Sequence, residues 1–103
     1  MQEEKEEQFQ AFIRAIKEKF NPQVILLFGS RSRGDALRGS DYDLLIVSER
    51  FEGVPFTDRL TPIHRLWTLL EGLDCLALTP AEYARAREGI SLIRLIAEEG
   101  VPV

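Results

Sequence analysis

Asp41 and Asp43 stand two residues apart. A β-strand sends such side chains to one face, so the two carboxylates would converge. Like charges held together repel unless a cation lies between them. Hard carboxylate oxygens suit Mg²⁺, which binds through one or two carboxylates plus the phosphates of a substrate. Two such ions about 3.5–4 Å apart stabilise both the attacking and the leaving oxygen of a phosphoryl transfer. Asp74, at the start of another apolar run, is the candidate third carboxylate, although no fixed spacing ties it to the other two. Gly29-Ser30 precedes Asp41 by the ten intervening residues 31–40. Gly29 has no side chain to keep a phosphate from the backbone, and the Ser30 hydroxyl can donate to a phosphate oxygen. Arg31, Arg33 and Arg38 offer bidentate, charge-neutralising donors to a triphosphate.

These groups must be placed by the elements around them. Phe9, Phe12, Ile13, Ile16 and Phe20 recur at the spacing of one helix face. Asn21-Pro22 stops that helix, because a proline disfavours the α conformation in the residue before it. Val24–Phe28 is a continuous apolar run, the pattern of a strand covered on both faces. Residues 31–40 read as a polar loop opening into a short helical turn. Residues 41–47 read as a second strand, with Asp41, Asp43, Leu45 and Val47 on one face and Tyr42, Leu44 and Ile46 on the other. Residues 49–61 read as a surface loop whose Phe51, Val54 and Phe56 are exposed for docking. The pattern predicts a helix over 62–71, with Pro62 first after Thr61 and Ile63, Leu66, Trp67 and Leu70 as its apolar face. A third strand is expected over Leu73–Leu78. Thr79-Pro80-Ala81-Glu82 is a capping-box pattern opening a helix. That helix should break near Gly89 and resume from Ser91 to Glu99, with Gly100 as its stop. The sum is an α/β or α+β domain, a small mixed sheet flanked by helices, with strand order left open.

The stretch LFGSRSRGDALRGSDYDLLIV, Leu27 to Val47, resembles the G-S-x10-D-x-D signature of the DNA polymerase beta nucleotidyltransferase superfamily. It is similar in particular to the minimal nucleotidyltransferases (MNT), including the MntA-like antitoxins of HEPN/MNT toxin–antitoxin pairs. The close match covers about twenty residues, and a looser one, with the third acid and the final helix, covers nearly the whole chain. The resemblance implies a polymerase-beta-like palm fold and transfer of a nucleoside monophosphate, AMP from ATP, with pyrophosphate leaving. It assigns two Mg²⁺ ions and the catalytic roles to Asp41, Asp43 and Asp74, Asp74 also helping to accept the proton of the attacking hydroxyl. It assigns the phosphate-contacting turn to Gly29 and Ser30, to which Arg31 and Arg33 would add charged donors for the triphosphate. It also implies a small helical HEPN-type partner, whose tyrosine would be the acceptor and whose toxicity would be blocked. Two other functions fit the same residues: an antitoxin that acts by contact alone, and an adenylyltransferase for a small-molecule hydroxyl. GSRSRG matches neither G-x-G-x-x-G nor G-x-x-x-x-G-K-[ST], so the Rossmann and P-loop readings fail on the residues.

The bulk composition narrows the field. At 103 residues the chain fits one domain, 1–103, without room for an added acceptor domain. The net charge of −4 speaks against stable binding of a nucleic-acid backbone and against a template-directed polymerase. One cysteine, Cys75, allows no intrachain disulfide and suits a reducing compartment. Met1–Gln8 lacks the basic start and apolar run of a signal peptide, and no apolar run approaches the length of a membrane span. A cytoplasmic protein is the expectation. His64 has no nucleophile motif beside it and reads as a partly exposed helix residue. Cys75, Trp67 and Tyr42 read as packing residues.

Overall fold

The computed structural model describes residues 2–33 and 41–103. Helix α1 runs Gln2–Phe20, with Glu3 and Glu4 in its first turn and Lys17 and Lys19 in its last, each sign matched to the helix dipole. Asn21 ends it in a left-handed conformation, φ 44°, which a short polar side chain tolerates. Strand β1 is Val24–Phe28, and α2 is one short turn, Ser30–Arg33. Strand β2 is Tyr42–Val47 and a 3₁₀ turn covers Glu49–Phe51. Then come α3 (Phe56–His64), β3 (Leu73–Leu78), α4 (Pro80–Glu88), α5 (Leu92–Glu99) and β4 (Val101–Pro102).

The strands form one mixed sheet in the order β3-β2-β1-β4. β1 lies antiparallel to both β2 and β4, whereas β2 and β3 run parallel. Alternation along β2 divides its side chains between two cores. Tyr42, Leu44 and Ile46 pack under Phe9, Phe12, Ile13, Ile16 and Phe20 of α1, with Ile63 and Ala77. Leu45 and Val47 pack with Leu26, Leu78, Tyr83 and Ile96 beneath α4 and α5. The domain is therefore α+β, with helices on both faces of the sheet, as the sequence pattern predicts. The predicted capping box is present, Thr79 and Glu82 each bonding the other's backbone N–H.

Three expectations change. The helix predicted over 62–71 instead occupies 56–64, so Pro62 lies inside it rather than at its start. Pro55 supplies the entry, its carbonyl accepting from the N–H groups of Asp58 and Arg59. Pro62 has no N–H for the carbonyl one turn back, and the helix ends two residues later. Leu66 and Trp67 still pack on the α1 core, but Leu70 is fully exposed. The 49–61 segment is not an exposed loop: Phe51 is 1% exposed and part of the core, Val54 is half-buried, and Phe56 alone of the three is exposed. Finally, β4 joins the sheet beyond the helix stop, Val101 pairing with Leu27 and Pro102 with Leu26. Proline is tolerated there because β4 is an edge strand.

Candidate functional site

Parallel pairing of β2 with β3 sets Asp43 directly beside Asp74. Antiparallel pairing with β1 sets Asp43 opposite Phe28, the residue before Gly29. The glycine and two of the acids thus meet at one end of the sheet, and Asp41 lies one residue ahead of β2 at the same end. Asp43 shares its face with Leu45 and Val47, and Asp74 shares its face with Leu76 and Leu78. Both acids therefore belong to the α4–α5 face. Helix α4 starts after Thr79, at the far end of β3, and burial along β2 and β3 increases away from the acids. Asp41 and Asp74 are exposed and Asp43 is half-buried.

The electrostatics follow from this crowding. The Asp43 carboxyl is pushed above its ordinary value by burial first, then by the charges of Asp74 and Asp41, and by a hydrogen bond with the Asp74 side chain. Asp41 is turned differently, its Oδ1 accepting from the Gly72 N–H at 3.2 Å. Among the described residues, no three His, Cys, Asp or Glu side chains are gathered to hold an ion as they stand. The donor set nevertheless fits Mg²⁺: the hard carboxylates of Asp43 and Asp74 stand side by side, and Asp41 lies two residues from Asp43.

Gly29 adopts φ +76°, which favours glycine, and a Cβ there would lie 2.4 Å from Asp43 Oδ2. Glycine is thus required twice at this position, for the turn and for room beside the acid. Ser32 locks the turn, its N–H and hydroxyl both donating to the Gly29 carbonyl, at 3.2 and 2.7 Å. Ser30 and Arg33 are the first and last residues of α2. The expectations for the Ser30 hydroxyl, the Arg33 guanidinium and Arg38 lie outside the described residues. The guanidinium of Arg31 sits 4.0 Å from the centre of the Tyr42 ring. Tyr42 faces the α1 core, so Arg31 lies on the opposite side of β2 from the acids. Tyr42 itself stacks on Phe9 at 5.0 Å and meets Trp67 at 5.2 Å, and burial raises its phenol. It is a packing residue, as is Trp67.

The other candidates resolve simply. His64 is exposed at the end of α3, its Nε2 3.1 Å from the carbonyl oxygen of Leu73. Burial pushes the Cys75 thiol up to about 12, too high for a nucleophile. The sequence reading missed Gly72, whose contact with Asp41 spans 31 positions of the chain. It also missed Arg59, which is 5% exposed and held by Glu82, by the carbonyls of Val54 and Ala77, and against the Phe56 ring. No helix among the described residues is long and apolar enough to cross a membrane.

A mixed four-stranded sheet with helices on both faces, carrying acids at the end where a glycine turn leaves the first strand, defines a class of small α+β transferase domain. The pattern of the nucleotidyltransferase domain family matches residues 10–99, and the chain belongs to that family. A candidate protein adenylyltransferase from Methanocaldococcus jannaschii is 43% identical over 46 residues, which is 43% of this chain and 46% of that relative. The aligned stretch is thus under half the length of the relative. A candidate nucleotidyltransferase from Sulfolobus solfataricus has a similar structure, with TM-score 0.61 over 94% of this chain and 82% of that one at 23% identity. BolA1 from Arabidopsis thaliana gives 0.59 over 73% of this chain and 94% of its own, at 21% identity. At such identities the likeness is one of fold alone.

Proposed function

We propose that the chain is a Mg²⁺-dependent nucleotidyltransferase that moves AMP from ATP to a hydroxyl group, the acceptor being a tyrosine of a partner protein. The observation that carries this reading is the register Asp43 to Asp74, with Gly29 packed against Asp43. Asp41, Asp43 and Asp74 would hold the metal ions, which supply positive charge to the phosphates and to the attacking and leaving oxygens. Gly29 admits the phosphates to the backbone, and Ser30 with Arg33 would grip them, Arg31 lying on the other side of β2. The acceptor oxygen attacks the α-phosphorus, a new O–P bond forms as the bond to pyrophosphate breaks, and the Asp74 carboxylate takes the proton.

A macromolecular acceptor is favoured by the exposure of Asp41 and Asp74. A site open to water needs the docked acceptor itself to exclude it. The M. jannaschii relative is described as acting on protein, which agrees. We assign the partner to the small helical HEPN type, with modification of its tyrosine making this chain the antitoxin of the pair.

Calorimetric titration with ATP and Mg²⁺ tests the site. Wild type should bind, and Asp43→Asn should lose the Mg²⁺-dependent part of the binding while keeping its fold; equal affinities would remove Asp43 from the site. Intact-mass spectrometry tests the acceptor. With ATP, Mg²⁺ and the partner present, the partner should gain about 329 Da per AMP, the mass transferred when pyrophosphate leaves. Modification of a free small molecule, with the partner unchanged, would make the chain a small-molecule adenylyltransferase. An unmodified but neutralised partner would make it an antitoxin by contact alone.

A further inference from the structure

We propose that Gly72 is a positioning residue for Asp41, an inference that rests on the metal-dependent reading above. Gly72 immediately precedes β3. Its N–H donates to Asp41 Oδ1 at 3.2 Å, and its carbonyl accepts from the Tyr42 N–H at 2.9 Å. One residue therefore grips both the carboxylate of Asp41 and the backbone of the next residue. With Oδ1 held by the N–H, Oδ2 is the oxygen left to an ion. This is how a ligating carboxylate is commonly oriented by a partner behind it.

Backbone conformation does not explain the glycine. The glycines with positive φ are Gly29 and Gly53 among the described residues, and Gly72 is not one of them. Space does explain it. A Cβ at 72 would lie 2.8 Å from Asp41 Oδ1, 3.0 Å from its Cγ and 3.2 Å from Oδ2. Gly53 and Gly89, by contrast, have nothing within 4 Å of such an atom. Because the Gly72 peptide is fixed in the ladder, the mobile end of the Asp41 side chain is what an added methyl would displace. The arrangement repeats that of Gly29 and Asp43 on the opposite side of β2, so each acid of the D-x-D pair has a glycine against it from a neighbouring segment.

Titration of the metal-free protein with Mn²⁺ alone, read by electron paramagnetic resonance, tests this. Gly72→Ala should weaken Mn²⁺ binding by about 10–100-fold, the usual loss when a residue supporting a ligand is changed, with little change in the melting temperature of the metal-free protein. In an Asp41→Asn background the same substitution should add nothing further. Equal Mn²⁺ affinity of wild type and Gly72→Ala would overturn the proposal. So would an undiminished effect in the Asp41→Asn background, since Gly72 would then act by another route. A second measurement does not depend on the alanine variant: in metal-free protein, Asp41→Asn should shift the Gly72 amide resonance, and an unmoved resonance also refutes the contact. If wild type binds neither Mn²⁺ nor ATP, the proposed function falls with the inference; if wild type binds and the variant matches it, the inference falls alone.

Discussion

The two ends of β3 treat charge in opposite ways. At its start, Asp74 faces Asp43 and the two carboxyls are crowded, Asp41 adding a third negative charge nearby. Just beyond its other end, the Glu82 carboxyl is held below its ordinary value, first by its hydrogen bond with Arg59. Arg59 donates to both Glu82 oxygens, at 2.7 and 3.3 Å, and its remaining donors reach the Val54 and Ala77 carbonyls. The charged neighbours that raise Asp43 are all acids. A charge that serves the fold is thus neutralised within the chain, whereas the acids at the start of β3 crowd one another, as the proposed metal site requires. Perturbed carboxyls occur at both ends, and only the sign of the perturbation separates the two roles.

The largest expected effect comes from breaking the satisfied end. Arg59→Ala leaves Glu82 without its partner and two carbonyls without a donor. The loss should be about 3 kcal/mol, the low end for one half of a buried pair, because Glu82 keeps some contact with water. At roughly 4–8 °C per kcal/mol for a domain of this size, the melting temperature should fall well over 10 °C. Removing both charges in Arg59→Ala/Glu82→Gln should recover part of that. Urea denaturation measures it, and a loss below about 1 kcal/mol would class the pair with ordinary surface ion pairs. Binding of ATP and Mg²⁺ by the folded fraction should be unchanged, since the acid cluster lies at the other end of β3.

What the sequence revealed divides along the same line. The alternation that puts Asp41 and Asp43 on one side of β2 and Tyr42 on the other is a period-two signal within seven residues, and local periodicity is legible. So is the turn at Gly29, which follows an apolar strand. Asp74 was legible only as an acid opening a strand, because its register beside Asp43 depends on which strand pairs with β2 and in which direction. Gly72 was invisible for the same reason: nothing local distinguishes it from a helix stop, and its contact with Asp41 exists only once the strands pair. The 49–61 segment misled because Gly53 and Pro55 are loop signals, while the burial of Phe51 and Arg59 is a tertiary fact. Thr61-Pro62 likewise imitates a helix start, but the actual entry is Pro55, nearly two turns earlier.

The smallest effect is the sharpest test of the comparison, because the two carboxyls should respond to pH with opposite signs. Asp43 has its folded-state value raised above the ordinary 3.8, so the native state holds its proton longer than the unfolded chain does. Metal-free wild type should therefore lose stability as pH rises through the interval just above 3.8, and the loss should persist at neutral pH. Asp43→Asn removes that penalty: its melting temperature should match wild type in acid and exceed it above the interval. Glu82 has its folded-state value lowered below the ordinary 4.5. Its contribution is therefore present above 4.5 and fades as pH falls through the folded value. Glu82→Gln should therefore be destabilising at neutral pH and converge on wild type in acid. Melting curves in chelator from about pH 3 to about pH 8, a range spanning the ordinary carboxylate values, would show two difference profiles of opposite sign. If Asp43→Asn were instead destabilising at neutral pH, Asp43 would have a favourable partner within the fold, and the need for an external cation at that end of the sheet would disappear. With the expected profiles, adding Mg²⁺ should close the gap between wild type and Asp43→Asn by raising wild type alone, because a cation that binds the native acids stabilises only the state that possesses them.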